Sequence, residues 1–334
     1  MKSSAIAPSN IAFTKYWGKS NDELTLPLND SISMSLSDLT THTTVEFSDQ
    51  YKEDEVSIGD SEQGVAKVSG EKAKRVIEQL NRLKKIAKIK TFAKVVSKNT
   101  FPTGVGIASS ASAFAALTKA AVDALGVIVS DKELSILTRL AGSGSAARSV
   151  FGGFVKWNFD HTSEGSFSEQ ILDEKSWLLE DTVVITSTKE KGSSSLEGHS
   201  SARTSPYLQA RLADVEKRNR LIDRAIRNKN LKILGEEMEK DMLSLHFMAM
   251  SSVPPIFYWN GATVEVLAAV RSLRDNGTPV YATIDAGPNV HLIYEKSTKT
   301  TRTITEVFKD VPGVTDLIFA SVGKGVKSTD KHLF

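Results

Sequence analysis

Apolar and polar positions change rhythm several times along this chain. Ile32, Met34 and Leu36 alternate with Ser31, Ser33 and Ser35, the two-residue period of a half-buried strand. Ile11 to Trp17 is rich in β-formers, and Thr43 to Ser48 places Val45 and Phe47 on one face of another strand. Val76, Leu80, Leu83 and Ala87 then recur at helical spacing among lysines and arginines. Phe92 to Val96 reads as a strand, followed by an alanine-rich helix from Ser112 to Leu125. A further helix is predicted from Asp131 to Leu140, capped by Ser130 or Asp131. Trp177 to Ser187, with its β-branched run at 182–186, is predicted to be the last strand of the first half.

Lys189 to Ser205 is rich in serine, glycine and lysine and has no periodicity, so it is a candidate linker and a candidate mobile active-site loop. Two long amphipathic helices follow. The first carries an apolar stripe of Leu208, Leu212, Val215, Ile222 and Ile226; the second covers Leu231 to Met248. Ala262 to Asp275 is another helix, closed by Asn276-Gly277. Val280 to Ile284 and Val290 to Tyr294 read as strands around Asp285-Ala-Gly-Pro-Asn289. Strands and helices mix without regular alternation, which predicts an α+β fold.

Composition narrows the function more than the fold. The 334 residues suit one large or two ordinary domains, and 40% apolar with 25% charged residues is ordinary for a folded chain. A net charge of +2 and 7% aromatic residues give neither the basic face nor the stacking platforms of a nucleic-acid binder. With no cysteine, disulfides, thiolate metal sites and a cysteine nucleophile are excluded. No stretch approaches the roughly 20 apolar residues of a membrane span, and no signal-like h-region opens the chain. A cytoplasmic protein is expected.

Candidate chemistry sits in small-residue turns. Phe101-Pro-Thr-Gly-Val-Gly-Ile-Ala-Ser-Ser-Ala-Ser112 places Gly104 and Gly106 before the alanine-rich helix. Glycines let backbone amides approach an anion, and the helix start adds free N–H groups. Ser109, Ser110 and Ser112 have hydroxyls able to donate to phosphate or to ligate magnesium. The loop matches neither the P-loop nor the dinucleotide fingerprint, and a tight turn with serine caps would look the same. Ala141-Gly-Ser-Gly-Ser-Ala-Ala-Arg148 is a second such turn, whose Arg148 suits a bidentate carboxylate. Lys15 and Lys19 lie four apart, on one face if the segment is a strand. Asp285 precedes Gly287-Pro288, a turn able to aim a base. The six histidines show no metal-ligand spacing, and His246 reads as structural.

Taken in order, these segments resemble one family. Ala7-Pro-Ser-Asn-Ile-Ala-Phe-Thr-Lys-Tyr-Trp-Gly-Lys19 and Pro27 to Leu36 resemble the opening of the mevalonate diphosphate decarboxylases of the GHMP kinase superfamily. The likeness continues through Ser97 to Thr103, Ser143 to Ser149, Phe151-Gly-Gly153, Val253 to Tyr258 and Ile284 to Asn289. It implies a two-domain fold, an ATP-binding domain over 1–187 and a second over 188–334, with the active site in the cleft between them. It implies ATP-dependent decarboxylation of mevalonate 5-diphosphate to isopentenyl diphosphate, with magnesium, in a homodimer. Asp285, Lys15 and Arg148 would be catalytic. Asn10, Tyr16, Lys19, Ser143 and Ser145 would bind substrate. Ser97, Asn99, Gly104, Gly106, Ser109, Ser110 and Ser112 would hold the nucleotide, and no magnesium ligand is assigned. Thr14 departs from the family's usual aliphatic residue, and the Lys189 to Ser205 loop carries Ser193-Ser-Ser195 but no arginine at the position where some bacterial members have one, with Arg203 near it. Close relatives acting on the 5-monophosphate, a 3-kinase, and a non-catalytic nucleotide binder stay open as alternatives.

Overall fold

A computed structural model describes residues 1–102, 109–188 and 195–334. Its first half comprises β1 (Lys2–Thr14), β2 (Lys19–Asn21), β3 (Leu26–Pro27), β4 (Ser31–Ser48), β5 (Glu55–Asp60), β6 (Gly64–Lys67), α1 (Gly70–Ala87), β7 (Phe92–Asn99), α2 (Ser109–Ala124) and α3 (Asp131–Arg139). A 3-10 helix, Gly144–Val150, then leads to β8 (Phe154–Trp157) and β9 (Ser168–Leu172). The second half holds β10 (Leu179–Ile185), α4 (Ser195–Ser201), α5 (Leu208–Arg227), α6 (Leu231–Met250), α7 (Gly261–Asp275), β11 (Tyr281–Thr283), β12 (Val290–Glu295), α8 (Thr298–Phe308), β13 (Asp316–Ser321) and β14 (Lys327–Thr329).

The expected half-buried strand is instead the centre of an eight-stranded sheet, ordered β14-β1-β4-β7-β5-β6, with β8 and β9 branching from β4. Ser31, Ser33 and Ser35 are as buried as Ile32, Met34 and Leu36, because both faces of β4 are covered. Its serines do not face water; they serve the neighbouring helical layer. Register against β1 slips between Pro8 and Asn10 and between Ala12 and Thr14. Pro8 has no N–H to give the ladder, and the slip lets the strand bend where the site begins. Helix α2 lies close over this sheet because Ala115, Ala116, Ala120 and Ala121, all fully buried, add almost no thickness.

The strand expected to end the first half belongs to the second. β10 lies in a four-stranded antiparallel sheet of order β11-β12-β10-β13, flanked by β12 and β13 for most of its length. Strand propensity identified the element; its sheet depended on partners more than 100 residues later. The last strand, β14, returns to pair with β1 in the first sheet.

One apolar cluster joins the halves: Ile11, Phe13 and Met34 pack with Val183, Ile222, Leu234 and Tyr281. The stripe predicted for α5 holds only in part. Val215, Ile222 and Ile226 are buried, but Leu208 and Leu212 are only half-buried, while Arg211, Arg218 and Asn219 are buried instead. Helix caps follow the sequence: Ser130 and Glu133 form a capping box on α3, and Asn260 and Thr263 form one on α7. Among the described residues no helix is long and apolar enough to cross a membrane.

Candidate active site

Where β1 stops, the chain turns into a cleft between the halves. Lys15, Tyr16 and Lys19 line it from the first turn, Ser143, Ser145 and Arg148 from the 3-10 segment, and Asp285 and His199 from the second half. The idea that Lys15 and Lys19 share a strand face fails, since β1 ends at Thr14 and Lys19 begins β2. Gly18, at φ +85°, makes the bend between them, and both lysines still reach the cleft.

Lys15 is 3% exposed, and its Nζ donates to Asp285 Oδ1 at 2.6 Å and to the Ala12 carbonyl at 2.7 Å. Asp285 stands on the turn between β11 and β12. Its own carbonyl accepts from the Gly287 N–H, and Asn289 anchors the turn by accepting from the Thr186 and Ser187 N–H groups. Burial pushes the Asp285 carboxyl up, but the charge and hydrogen bond of Lys15 outweigh this. With His291 and Arg148 adding to them, they hold the pKa below the usual carboxylate value.

Arg148 is buried, not the exposed arginine that a helix start alone suggests. Its Nε and Nη2 donate to Asn10 Oδ1 at 3.3 and 3.1 Å, and its Nη1 to Ser31 Oγ at 2.6 Å. A guanidinium has five N–H donors. Three are committed here, which leaves one further N–H on each Nη. Burial lowers its pKa to about 10, with Asp285 opposing the shift, so it is a cation at neutral pH. Asn10 itself is only 2% exposed and does not line the cleft; it holds Arg148 and, through Nδ2, the Ser145 carbonyl and Ser149 Oγ.

Ser110, Ser143 and Ser145 form a hydroxyl row on the cleft wall, with Oγ separations of 3.2 and 3.3 Å. Ser109 starts α2 beside them. Ser97, Asn99 and Ser112 do not line this cleft. Ser97 bonds Thr43, and Asn99 and Ser112 flank Thr41, in a buried polar ladder behind the start of α2. Gly104 and Gly106 lie outside the described residues.

Three contributions escaped the sequence. Arg75 lines the cleft, stacked on Phe114 and donating to the Gly142 carbonyl. His199 on α4 packs against the rings of Tyr16 and Trp17, with centroids 4.1 and 4.9 Å away. Its Nδ1 accepts from the Gly18 N–H at 3.0 Å. A backbone N–H can only donate, so the neutral ring carries its proton on Nε2. Burial, helped by the charge of Lys19, drives the imidazole pKa down to about 3. The third is a buried polar patch beneath Lys15, in which the unexpected Thr14 donates to Asn219 Oδ1 at 2.5 Å. Arg203 supports Lys19 by donating to its carbonyl at 2.6 Å. Nothing in the local pattern marks Arg75 or His199, because their partners come from distant elements.

Anion donors from one half facing a carboxylate from the other define an enzyme of the two-domain GHMP kinase fold. Residues 7–168 match the Diphosphomevalonate decarboxylase-like N-terminal domain and residues 182–330 the Mevalonate 5-diphosphate decarboxylase C-terminal domain. The chain belongs to the diphosphomevalonate decarboxylase family. It is 33% identical to the diphosphomevalonate decarboxylase of Candida albicans, over 99% of this chain and 98% of that one. A solved structure of MDDEF in complex with MVAPP, AMPPCP and magnesium superposes with a TM-score of 0.90, at 38% identity and 99% coverage of both chains. The Staphylococcus aureus mevalonate diphosphate decarboxylase does so with 0.90, at 34% identity and 98% coverage of both.

Proposed function

We propose that this chain converts mevalonate 5-diphosphate and ATP to isopentenyl diphosphate, ADP, phosphate and carbon dioxide. The observation that carries this reading is the ion pair between the buried Lys15 and Asp285, beside Arg148 held by Asn10 and Ser31.

A tertiary 3-hydroxyl is a poor nucleophile and hydroxide a poor leaving group, so the oxygen is first phosphorylated. Asp285 Oδ2 orients the hydroxyl and takes its proton as the γ-phosphoryl transfers. A carboxylate with a depressed pKa is a weak base, so the proton moves late, when the oxygen is already bonding to phosphorus. Lys15 stabilises both Asp285 and the transferring charge. Phosphate then departs with the C3–O bond pair, the C1–C2 bond pair forms the C2–C3 double bond, and carbon dioxide leaves. Arg148 aims the carboxylate. Gripping it too tightly would stabilise the ground state, so its support by Asn10 and Ser31 fixes direction more than strength.

Tyr16, Lys19, Ser143, Ser145 and the Nε2–H of His199 would receive the 5-diphosphate. ATP would lie over the start of α2 with Ser109, Ser110 and Arg75 near its phosphates. Magnesium would neutralise phosphate charge, and the Ser109 and Ser110 hydroxyls suit such a hard cation. We place the division into two domains just before β10, and read the protein as a cytoplasmic homodimer.

The test is ADP release from the purified protein with ATP and magnesium, run on mevalonate, its 5-phosphate and its 5-diphosphate with carbon dioxide trapped. Carbon dioxide from the 5-diphosphate alone supports the reading. Turnover of the monophosphate alone would replace the substrate, ADP without carbon dioxide would make the protein a 3-kinase, and silence would overturn catalysis.

A further inference from the structure

β1 ends at Thr14, so the Lys15 N–H and C=O have no ladder partners and must be served otherwise. Side chains of α5 and α6 do it. Asp241 on α6, fully buried, accepts the Lys15 N–H on Oδ2 at 2.7 Å. Arg211 on α5 donates to the Lys15 carbonyl at 3.1 Å and to Asp241 Oδ2 at 3.2 Å. Asn29 adds a second bond to the same carbonyl at 3.2 Å. Arg218 closes the group from two turns further along α5, with Nη1 at 3.3 Å from Asp241 Oδ1 and Nε at 3.7 Å from Glu237. Asp214 pairs with Arg218 at the solvent edge.

A buried ion cluster is a poor device for stability, since desolvation can exceed the attraction it recovers. What this cluster does possess is geometry. Lys15 arrives on a strand of the first half, whereas Asp285 and both helices belong to the second. We infer that Asp241, with Arg211, is a positioning residue that locks the Lys15 backbone to the second half and so fixes the Lys15–Asp285 contact. The ammonium then keeps its place against the carboxylate whatever small adjustments the first half makes around the nucleotide. The inference rests on Lys15 and Asp285 being the reacting pair.

Asp241→Ala and Asp241→Asn test it, by kinetics per titrated active site and by the pH profile of kcat. Misplacing a reacting group by about an ångström costs on the order of a hundredfold. The Ala variant is therefore expected to lose about that in kcat, while KM for ATP and substrate changes far less. Asn, which keeps an acceptor for the Lys15 N–H, should recover part of the loss. The charged and titratable groups around Asp285 are Lys15, Arg148, His291 and His246. With Lys15 displaced the Asp285 carboxyl rises, so the acid limb of kcat moves to higher pH. A merely structural role would lower Tm and the active fraction but leave that limb in place. Wild-type kcat per active site, or an unmoved acid limb, overturns the inference. Should Asp241→Ala not fold, Arg211→Lys reads the same relation from the carbonyl side, with a smaller loss and the same shift of the limb. Failure of the proposed function would appear differently, as a wild-type protein that releases no ADP.

Discussion

Lys15 Nζ lies 2.6 Å from Asp285 Oδ1 although the two residues are 270 positions apart. One comes from the end of the edge-crossing first strand, the other from a turn between two strands of the second sheet. Each is costly to bury alone and each makes the other's charge tolerable. The pair is therefore a structural joint between the halves as well as the proposed chemical centre.

Asp285→Asn removes the proton acceptor while keeping the shape. The expected loss in kcat is on the order of a thousandfold, in line with removal of a general base or a charge stabiliser, with little change in KM for ATP. Steady-state ADP release checks it, and wild-type turnover would remove Asp285 from the reaction.

Activity should survive acidification further than an ordinary carboxylate permits. The folded pKa of Asp285 lies below its unfolded value, so the ionised form, and the stability it brings, are complete above the unfolded pKa. Both are lost as pH falls through the depressed folded value. A kcat profile on the acid side, compared between the wild type and Lys15→Met, shows this. The variant's limb should move up, because the main cause of the lowering is gone.

Arg148→Lys keeps the charge but loses the fork. One ammonium cannot hold Asn10, Ser31 and a carboxylate in the same plane. A fall of about a hundredfold in kcat/KM for the mevalonate substrate is expected, with ATP binding by titration calorimetry nearly unchanged. Asn10→Ala should reproduce a smaller part of this loss, since it only loosens the guanidinium.

His199→Phe preserves the ring stack on Tyr16 and Trp17 and deletes the Nε2–H. KM for the phosphorylated substrate should rise about tenfold, the worth of one hydrogen bond to a charged group, while KM for ATP holds. The same variant tests acid stability. A histidine depressed to about 3 from its ordinary value of 6.5 supports folding fully above about pH 6.5, and that support declines as pH falls toward 3. Thermal melts from pH 7 to pH 4 should fall less steeply in the variant.

Gly144→Ala probes how tightly the cleft wall is built. A Cβ there would run into the Trp157 ring and press on Tyr16. The Tyr16 ring packs edge-on against Trp157 at 4.8 Å, so it cannot yield without leaving its place in the cleft. A loss of Tm of several degrees, as for overpacked cores, together with a raised substrate KM is expected; calorimetry and kinetics read the two separately.

Most elements were legible in the chain because their causes are local. Ser130 and Glu133 fix the start of α3 and Asn276-Gly277 the end of α7, both through contacts within a few residues. The turn motifs were legible too: small residues at 141–145 and Asp285 before Gly287-Pro288 have few other ways to fold. Sequence could not say that Ser31, Ser33 and Ser35 face a covered layer, since alternation looks the same whether the polar side meets water or buried hydroxyls and guanidinium. It could not assign β10 to a sheet, because strand pairing is settled by partners far along the chain.

The sequence by itself determined the main helices and several of the strands, the order of the small-residue turns and the identity of the charged residues in the cleft. Tertiary structure decided which of those residues meet. It held Arg148 on Asn10, set Ser97, Asn99 and Ser112 in a buried polar ladder, and gathered Arg211, Arg218 and Asp241 beneath Lys15. The physical reason is the same each time. A charge or amide on a helix face is solvated by default, and only a second element closing over it can convert that residue into a buried, oriented one.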